Sequence, residues 1–181
     1  MTSLAAIFVA ASAVLGQADE RPTTKEHMKV MQPFIGTWVL EQTADEDLPA
    51  YGVKQGEKYR VYHTYKWLFD GNGIAINIKR TNQNGDQFDA MTGLLYWDFK
   101  TKQVVNRWVG RRGASGSTTW TPQSGNTWTY EMEWTNTQGT DRSAAGKVVH
   151  VDKDTMTLQT IVVDDTSPDD SEPLKFKRQK E

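Results

Sequence analysis

The stretch Lys58–Phe69, with the sequence KYRVYHTYKWLF, decides the fold because apolar and polar side chains alternate along it. Successive side chains of a β-strand point to opposite faces, so a period of two predicts a strand with one buried and one wet face. The buried face would carry Tyr59, Val61, His63, Tyr65, Trp67 and Phe69. The segment Thr127–Thr135 repeats the pattern, with Trp128, Tyr130, Met132 and Trp134 on one face. Both segments therefore predict strands whose buried faces carry large aromatic side chains.

Eight more segments are rich in Val, Ile, Thr and aromatic residues and are predicted to be strands. They are Thr37–Gln42, Gly73–Arg80, Asp89–Phe99, Gln103–Arg111, Ser117–Thr121, Ser143–Val151, Thr155–Val163 and, as the tenth strand, Pro173–Arg178. Alternation places Ile74, Ile76 and Ile78 on one face, and likewise Met91, Leu95, Trp97 and Phe99. Short strands separated by turn signals predict an all-β antiparallel meander, and we favour a β-barrel of 8–10 strands. A barrel of that size is just wide enough for these side chains or for one small ligand.

A short helix is predicted in front of the first strand. Thr23 and Glu26 have the spacing of a capping box, which marks the start of a helix, and Pro33 is expected to stop it. The predicted helix spans Thr24–Gln32 and carries Met28 and Met31 on one side. It would close one end of the barrel.

The N-terminal stretch Leu4–Leu15 is apolar, rich in Ala and uncharged. It is shorter than the roughly 20 residues that a membrane-spanning helix needs, and it fits the apolar region of a secretory signal peptide. We therefore predict a signal peptide over residues 1–18, a single barrel domain over 19–181, and a secreted or periplasmic protein. Met1-Thr2-Ser3 carries no Lys or Arg, so either the start lies upstream or the signal peptide is atypical. A buried N-terminal helix is the alternative.

Composition excludes several classes of function. The 181 residues contain 21 Lys and Arg against 23 Asp and Glu, so the net charge of −2 gives no electrostatic case for binding nucleic acid or an anionic membrane. The chain has no Cys, which excludes disulfides, thiol nucleophiles and Cys-ligated metal sites. The three His are far apart, and the acidic run Asp164–Glu172 lacks the spacing of a calcium-binding loop, so it is predicted to be a solvated loop.

Three short segments carry a family resemblance. They are Gly36-Thr37-Trp38 after the helix, Trp67–Gly71, and Gly93–Asp98 before a Lys-rich turn. The chain resembles the calycins, the lipocalin-like barrels, and more narrowly a family of exported bacterial lipocalin-like proteins known as a domain of unknown function. The resemblance implies a pocket for a small apolar molecule, a Trp that plugs one barrel end, and a late Arg or Lys packed over it. Arg178 is the nearest candidate for that cation, and the family supplies no catalytic residues.

The predicted pocket consists of inward-facing aromatic residues and one polar residue that orients the ligand. The aromatic and histidine residues are Tyr59, His63, Tyr65, Trp97, Trp128, Tyr130 and Trp134. The polar residue is Asn106 or Arg107, because the strand around them alternates with apolar residues on both faces. The expected partner is a small hydrophobic or amphipathic molecule.

Several alternatives stay open from the sequence. The barrel could be filled by its own aromatic side chains and act through surface loops and a protein partner. His63, or the late His150, could ligate haem as in nitrobindin-like barrels, although no cofactor is predicted. The chain carries no catalytic motif, so an enzyme is the weaker prediction. An isomerase or hydrolase of apolar substrates would need a strongly shifted pKa at His63 inside an open pocket.

Overall fold

Ten antiparallel strands close into one barrel in the computed structural model, which describes residues 23–164 and 172–180. The strands are β1 Gly36–Thr43, β2 Lys58–Leu68, β3 Gly73–Thr81, β4 Gln87–Asp98, β5 Gln103–Gly110, β6 Ser115–Pro122, β7 Thr127–Thr135, β8 Asp141–Asp152, β9 Thr155–Val163 and β10 Leu174–Arg178. The predicted all-β meander barrel is thus confirmed. The predicted signal peptide and most of the acidic run lie outside the described residues.

Each strand pairs with its neighbours in sequence, and β1 pairs with β10 to close the barrel. The closing contact is short, with only Trp38 opposite Arg178 and Val39 opposite Lys177 in register. Each of the ten described strands thus has a partner on both sides, although β1 is paired with β10 over only a small part of its length. The alternation of side chains then divides the described strands into an inner and an outer face.

The N-terminal helix differs from the prediction in type and length. The α-helix α1 covers only Thr24–Met28, and its capping box is present, with Thr23 accepting from Glu26 and the Glu26 carboxylate from Thr23. A 3₁₀ helix continues over Lys29–Phe34 and contains Pro33, so the prediction that Pro33 ends the helix is wrong. Met28, Met31 and Phe34 are all fully buried, and their spacing of three residues matches the three residues per turn of a 3₁₀ helix. None of the helices in the described residues is long and apolar enough to span a membrane.

Two aromatic residues predicted on the inner face lie outside instead. The strand β2 ends at Leu68, and Phe69 and Asp70 then adopt positive φ angles of 50° and 55°, which turn the chain away from the barrel. Phe69 is consequently 70% exposed. Phe99 follows the end of β4 and is 63% exposed. The inner stripes of these strands therefore end at Trp67 and Trp97.

The barrel interior has two unequal halves. In the half beside the N-terminal helix, which we call the closed half, Phe34, Trp38, Ile74 and Leu95 have no exposed surface at all. In the other half, which we call the open half, inward-facing side chains remain partly exposed although they pack on the core. They are Tyr59, Ile78, Met91, Met132 and Leu158. Because these side chains face inward and are nevertheless partly exposed, the open half is accessible from outside.

Candidate functional site

The closed half is built around Trp38, the tryptophan of the Gly-x-Trp segment. Its indole Nε1 donates to the backbone carbonyl of Phe34 at 2.7 Å, which ties β1 to the 3₁₀ helix. The guanidinium of Arg178 lies over the indole ring, 4.2 Å from its centroid. Arg178 also donates to the carbonyls of Pro33, at 2.9 Å, and of Ile35. Trp38 and Arg178 thus join the first and last strands to the helix that covers this end.

Gly36 makes this arrangement possible. Its φ is +119°, which L side chains rarely adopt, and a Cβ there would come within 2.7 Å of the Arg178 guanidinium. The Gly of the Gly-x-Trp segment is therefore required by the close approach of Arg178 as well as by the backbone angle.

An aromatic cluster fills the rest of the closed half. The ring of Phe34 lies against Tyr65, Trp128 and His150, at centroid distances of 5.7, 5.1 and 4.6 Å. His150 also contacts Trp38 at 5.3 Å, and burial together with the charge of Arg178 lowers its pKa to about 4. With three rings packed on its imidazole, a haem plane would have to displace Phe34 or Trp38. The residues at His150 therefore do not fit a haem.

Three of the predicted pocket residues lie in this filled region. Tyr65 and Trp128 are 3% and 6% exposed and belong to the aromatic cluster. Trp97 is covered from outside by His27 of α1, whose ring stacks on it at 4.1 Å and within 3° of parallel. These side chains are placed as packing partners of the N-terminal helix, at the end of the barrel away from the open half.

Two further predicted residues lie near the middle of the barrel. The Tyr130 hydroxyl is 3.0 Å from Thr160 Oγ1, and its ring passes over Gly146, where a Cβ would lie 2.6 Å from the hydroxyl oxygen. His63 contacts the ring of Phe176 at 4.7 Å and is partly exposed. Burial and, secondly, the charge of Arg80 lower the pKa of His63 to about 4. His63 is therefore neutral at pH 7, a hydrogen-bonding group but a weak general base.

Tyr59 and Trp134 lie toward the open end. The Tyr59 hydroxyl donates to Gln42 Oε1 at 2.8 Å, across the β1–β2 pair. The Trp134 side chain packs beside Gly116, where a Cβ would lie 2.6 Å from the Trp134 Cβ. Both residues are partly exposed, as expected for side chains near the mouth of the barrel.

The register of β5 decides between the two candidate polar residues. Asn106 lies opposite the fully buried Leu95 of β4 and faces inward, with 3% of its surface exposed. Its Oδ1 is buried and has no hydrogen-bond partner in the described structure. Arg107 faces outward, is exposed, and borders a polar groove of about 910 Å³ on the outside of the barrel. Asn106 is thus the residue placed inside, and Arg107 belongs to the outer surface.

Compared with known proteins, the chain matches no protein-family model and no curated protein sequence. The function is therefore inferred from the geometry of the barrel.

The predicted pocket does not include Arg80, an arginine that faces inward. Arg80 of β3 lies opposite Val61 and Phe88, so it continues the inner stripe of Ile74, Ile76 and Ile78. Extending that alternation by two residues would have found it. Its guanidinium lies over Tyr51, 4.4 Å from the ring centroid, and 5.7 Å from that of Tyr59. Tyr51 comes from a short 3₁₀ turn, Pro49–Tyr51, in the β1–β2 loop, which therefore reaches over this part of the mouth.

Trp108 is a second residue that the pocket prediction left out. It shares the inner face of β5 with Asn106, and two inward glycines make room for it: a Cβ at Gly93 would lie 2.9 Å from the Trp108 Cβ, and one at Gly116 2.8 Å from its ring. Its indole Nε1 is buried without a hydrogen-bond partner among the described residues, as is Arg80 Nε. The open half thus combines an apolar wall with polar atoms that have no partner within the described chain.

The side chains of this site are better suited to binding a ligand than to catalysing a reaction. The described residues contain no cluster of three His, Asp or Glu side chains that could hold a metal ion. A buried donor or acceptor without a partner costs free energy, which a ligand or an ordered water can recover. An arrangement of aromatic surface with a few oriented polar groups is typical of small-molecule pockets.

Proposed function

We propose that the protein binds a small hydrophobic or amphipathic molecule in the open half of its barrel. The observation that carries this proposal is the difference in burial between the two halves. Phe34, Trp38, Ile74 and Leu95 of the closed half have no exposed surface, whereas Ile78, Met91 and Leu158 face inward and remain partly exposed. A barrel that served only as a filled scaffold would bury these apolar groups at both ends, because each buried methylene stabilises the fold by about 0.8 kcal/mol.

The polar atoms of the open half support the same proposal. Trp108 Nε1 and Arg80 Nε are buried atoms without a hydrogen-bond partner in the described residues. A ligand with one polar end and one apolar end would satisfy some of them and cover the partly exposed apolar surface. His63, neutral at pH 7, would offer either ring nitrogen to such a ligand.

We also propose that the protein is an exported lipocalin-like barrel. The closed ten-stranded meander and the packing of Arg178 on Trp38 agree with what the resemblance to calycins implies. The apolar stretch Leu4–Leu15 supports export through a signal peptide. Binding outside the cytoplasm would then be the role of the mature chain.

Titration of the purified protein with a neutral naphthylamine dye, which fluoresces in apolar surroundings, tests the binding site. We expect saturable binding. The variant Ile78→Trp places a larger ring in the open half and should weaken binding about tenfold or more, a loss of about 1.4 kcal/mol. The matched control Val109→Trp adds the same ring on the outer face, where Val109 is 46% exposed, and should leave binding unchanged.

Two outcomes would contradict the proposal. If the dye fails to bind with saturation, and the protein from its own host yields no extractable small molecule, the barrel is a filled scaffold that acts through its loops and outer surface. If Val109→Trp weakens binding as much as Ile78→Trp, the dye binds outside the barrel.

A further inference from the structure

The inside of the open half carries a positive charge that no described carboxylate balances. Arg80 faces inward, and in residues 23–164 and 172–180 it makes no hydrogen bond or ion pair; its contacts are the rings of Tyr51 and Tyr59. The other inward residues of the described strands at this end are apolar, aromatic or neutral polar, apart from Arg142, which pairs with Asp164 at the rim. Arg80 is partly exposed, but its Nε is buried without a partner, and the two aromatic rings compensate the lost hydration only in part.

The charge of Arg80 acts on the interior of the barrel. It lowers the pKa of His63, the histidine at mid-strand, and it opposes the effect of burial on the pKa of Tyr59. The Asp45 carboxylate, in the exposed loop above the mouth, acts on Tyr59 with the opposite sign. The interior thus favours a negative group placed next to Arg80, within reach of His63 and Tyr59.

We infer that the ligand of the open half is an amphipathic organic acid whose carboxylate pairs with Arg80. This inference rests on the proposed binding function and deepens it by naming the chemical class of the ligand. The guanidinium presents several N–H donors in one plane, which matches the two oxygens of a carboxylate. The apolar part of the acid would lie against Ile78, Met91 and Leu158, the partly exposed groups of the interior.

The positive charge of Arg80 explains why an acid fits the open half better than a neutral lipid does. A neutral alcohol or ester could cover the same apolar surface, but it would leave the charge of Arg80 uncompensated. Hydrogen bonds to a charged group contribute about 1.5–3 kcal/mol, which corresponds to about a tenfold to hundredfold preference for the acid.

Binding of dansyl-labelled undecanoic acid and of its methyl ester to the full chain tests the inference. We expect the acid to bind at least about tenfold more tightly than the ester. Arg80→Met should remove this preference and leave ester affinity within about twofold, whereas Arg80→Lys should retain part of it because a charge remains. The control is Lys79→Met, the next residue of β3, which faces outward and pairs with Asp89 across exposed side chains. Thermal unfolding of each variant verifies that it is folded.

The outcomes separate this inference from the proposed function. Equal binding of acid and ester by the wild-type protein overturns the assignment of an acid but leaves the binding site standing. A preference for the acid that survives Arg80→Met, or that Lys79→Met also removes, overturns the role of Arg80. If neither probe binds, and the naphthylamine dye does not bind either, both the proposed function and the inference are wrong.

Discussion

At the scale of single residues, Trp38 connects the 3₁₀ helix to the first and last strands of the barrel. It is fully buried, donates to the Phe34 carbonyl and accepts the Arg178 guanidinium on its ring. Trp38→Ala should lower the free energy of unfolding by about 3–5 kcal/mol, because it leaves a cavity and an unpartnered carbonyl. Chemical denaturation measures this loss, and Trp38→Phe, which keeps a ring, should cost much less. If Trp38→Ala unfolds like the parent, the packing described for the closed half is wrong.

His63 and His150 predict how stability depends on pH. Their pKa values of about 4 in the folded protein lie below the 6.5 of the unfolded chain, so the unfolded state binds more protons between these values. Stability should therefore be highest above pH 6.5 and fall as the pH drops toward 4. Each histidine should contribute up to about 3 kcal/mol to this loss, at about 1.4 kcal/mol per unit of pKa.

Urea unfolding at several pH values between 7 and 4 measures the slope. His150→Phe removes one of the two titrating groups and should flatten the dependence. An unchanged slope in His150→Phe would contradict a neutral, buried His150.

At the scale of elements, the start of β1 depends on a glycine for two separable reasons. Gly36 has a φ of +119° and no space for a Cβ beside Arg178, whereas Gly56, with a φ of +82°, has nothing within 4 Å of a Cβ. Gly36→Ala should therefore cost more stability than Gly56→Ala, by about 1–3 kcal/mol, the usual cost of overpacking. Thermal unfolding of the two variants gives the difference, and equal losses would show that only the backbone angle matters.

The strands were predictable from the sequence because period two is a strong local signal, and all ten were found. The ends of the strands were less predictable, because the apolar–polar alternation of the sequence continues past the residue at which the backbone turns. Phe69 fits the stripe of β2 by counting, yet the positive φ of Phe69 and Asp70 takes it outside. In the same way, Pro33 was expected to stop a helix, but a 3₁₀ turn accommodates it.

The candidate site was only partly predictable for a related reason. Alternation tells which residues share a face, and the choice between Asn106 and Arg107 needed the pairing of β5 with β4. It also cannot tell which end of the barrel a residue lies near. Tyr65, Trp97 and Trp128 were grouped with Tyr59 and Trp134, although the N-terminal helix covers the first three. The same alternation places Arg80, two residues after Ile78, on the inner face, but the predicted stripe ended at Ile78.

At the scale of the whole molecule, the two halves should respond differently to added volume. Ile76 and Ile78 are neighbours on the inner face of β3, but Ile76 is 3% exposed and Ile78 is partly exposed. Ile76→Trp should destabilise the protein by about 1–3 kcal/mol or more, because a packed core resists extra atoms. Ile78→Trp should cost clearly less, since its ring enters the open half. Urea denaturation compares them, and equal losses would show that both ends are filled.

The short contact between β1 and β10 has a consequence for the order in which the chain folds. Arg178 reaches back to the carbonyls of Pro33 and Ile35 across more than 140 residues, so β10 must be synthesised before the barrel can close. Contacts so distant in sequence are slow to form, because the entropy of the long intervening loop opposes them. Until then one side of β1 is unpaired and can pair with a strand of another chain. The pairing of β10 with β1 thus completes the barrel.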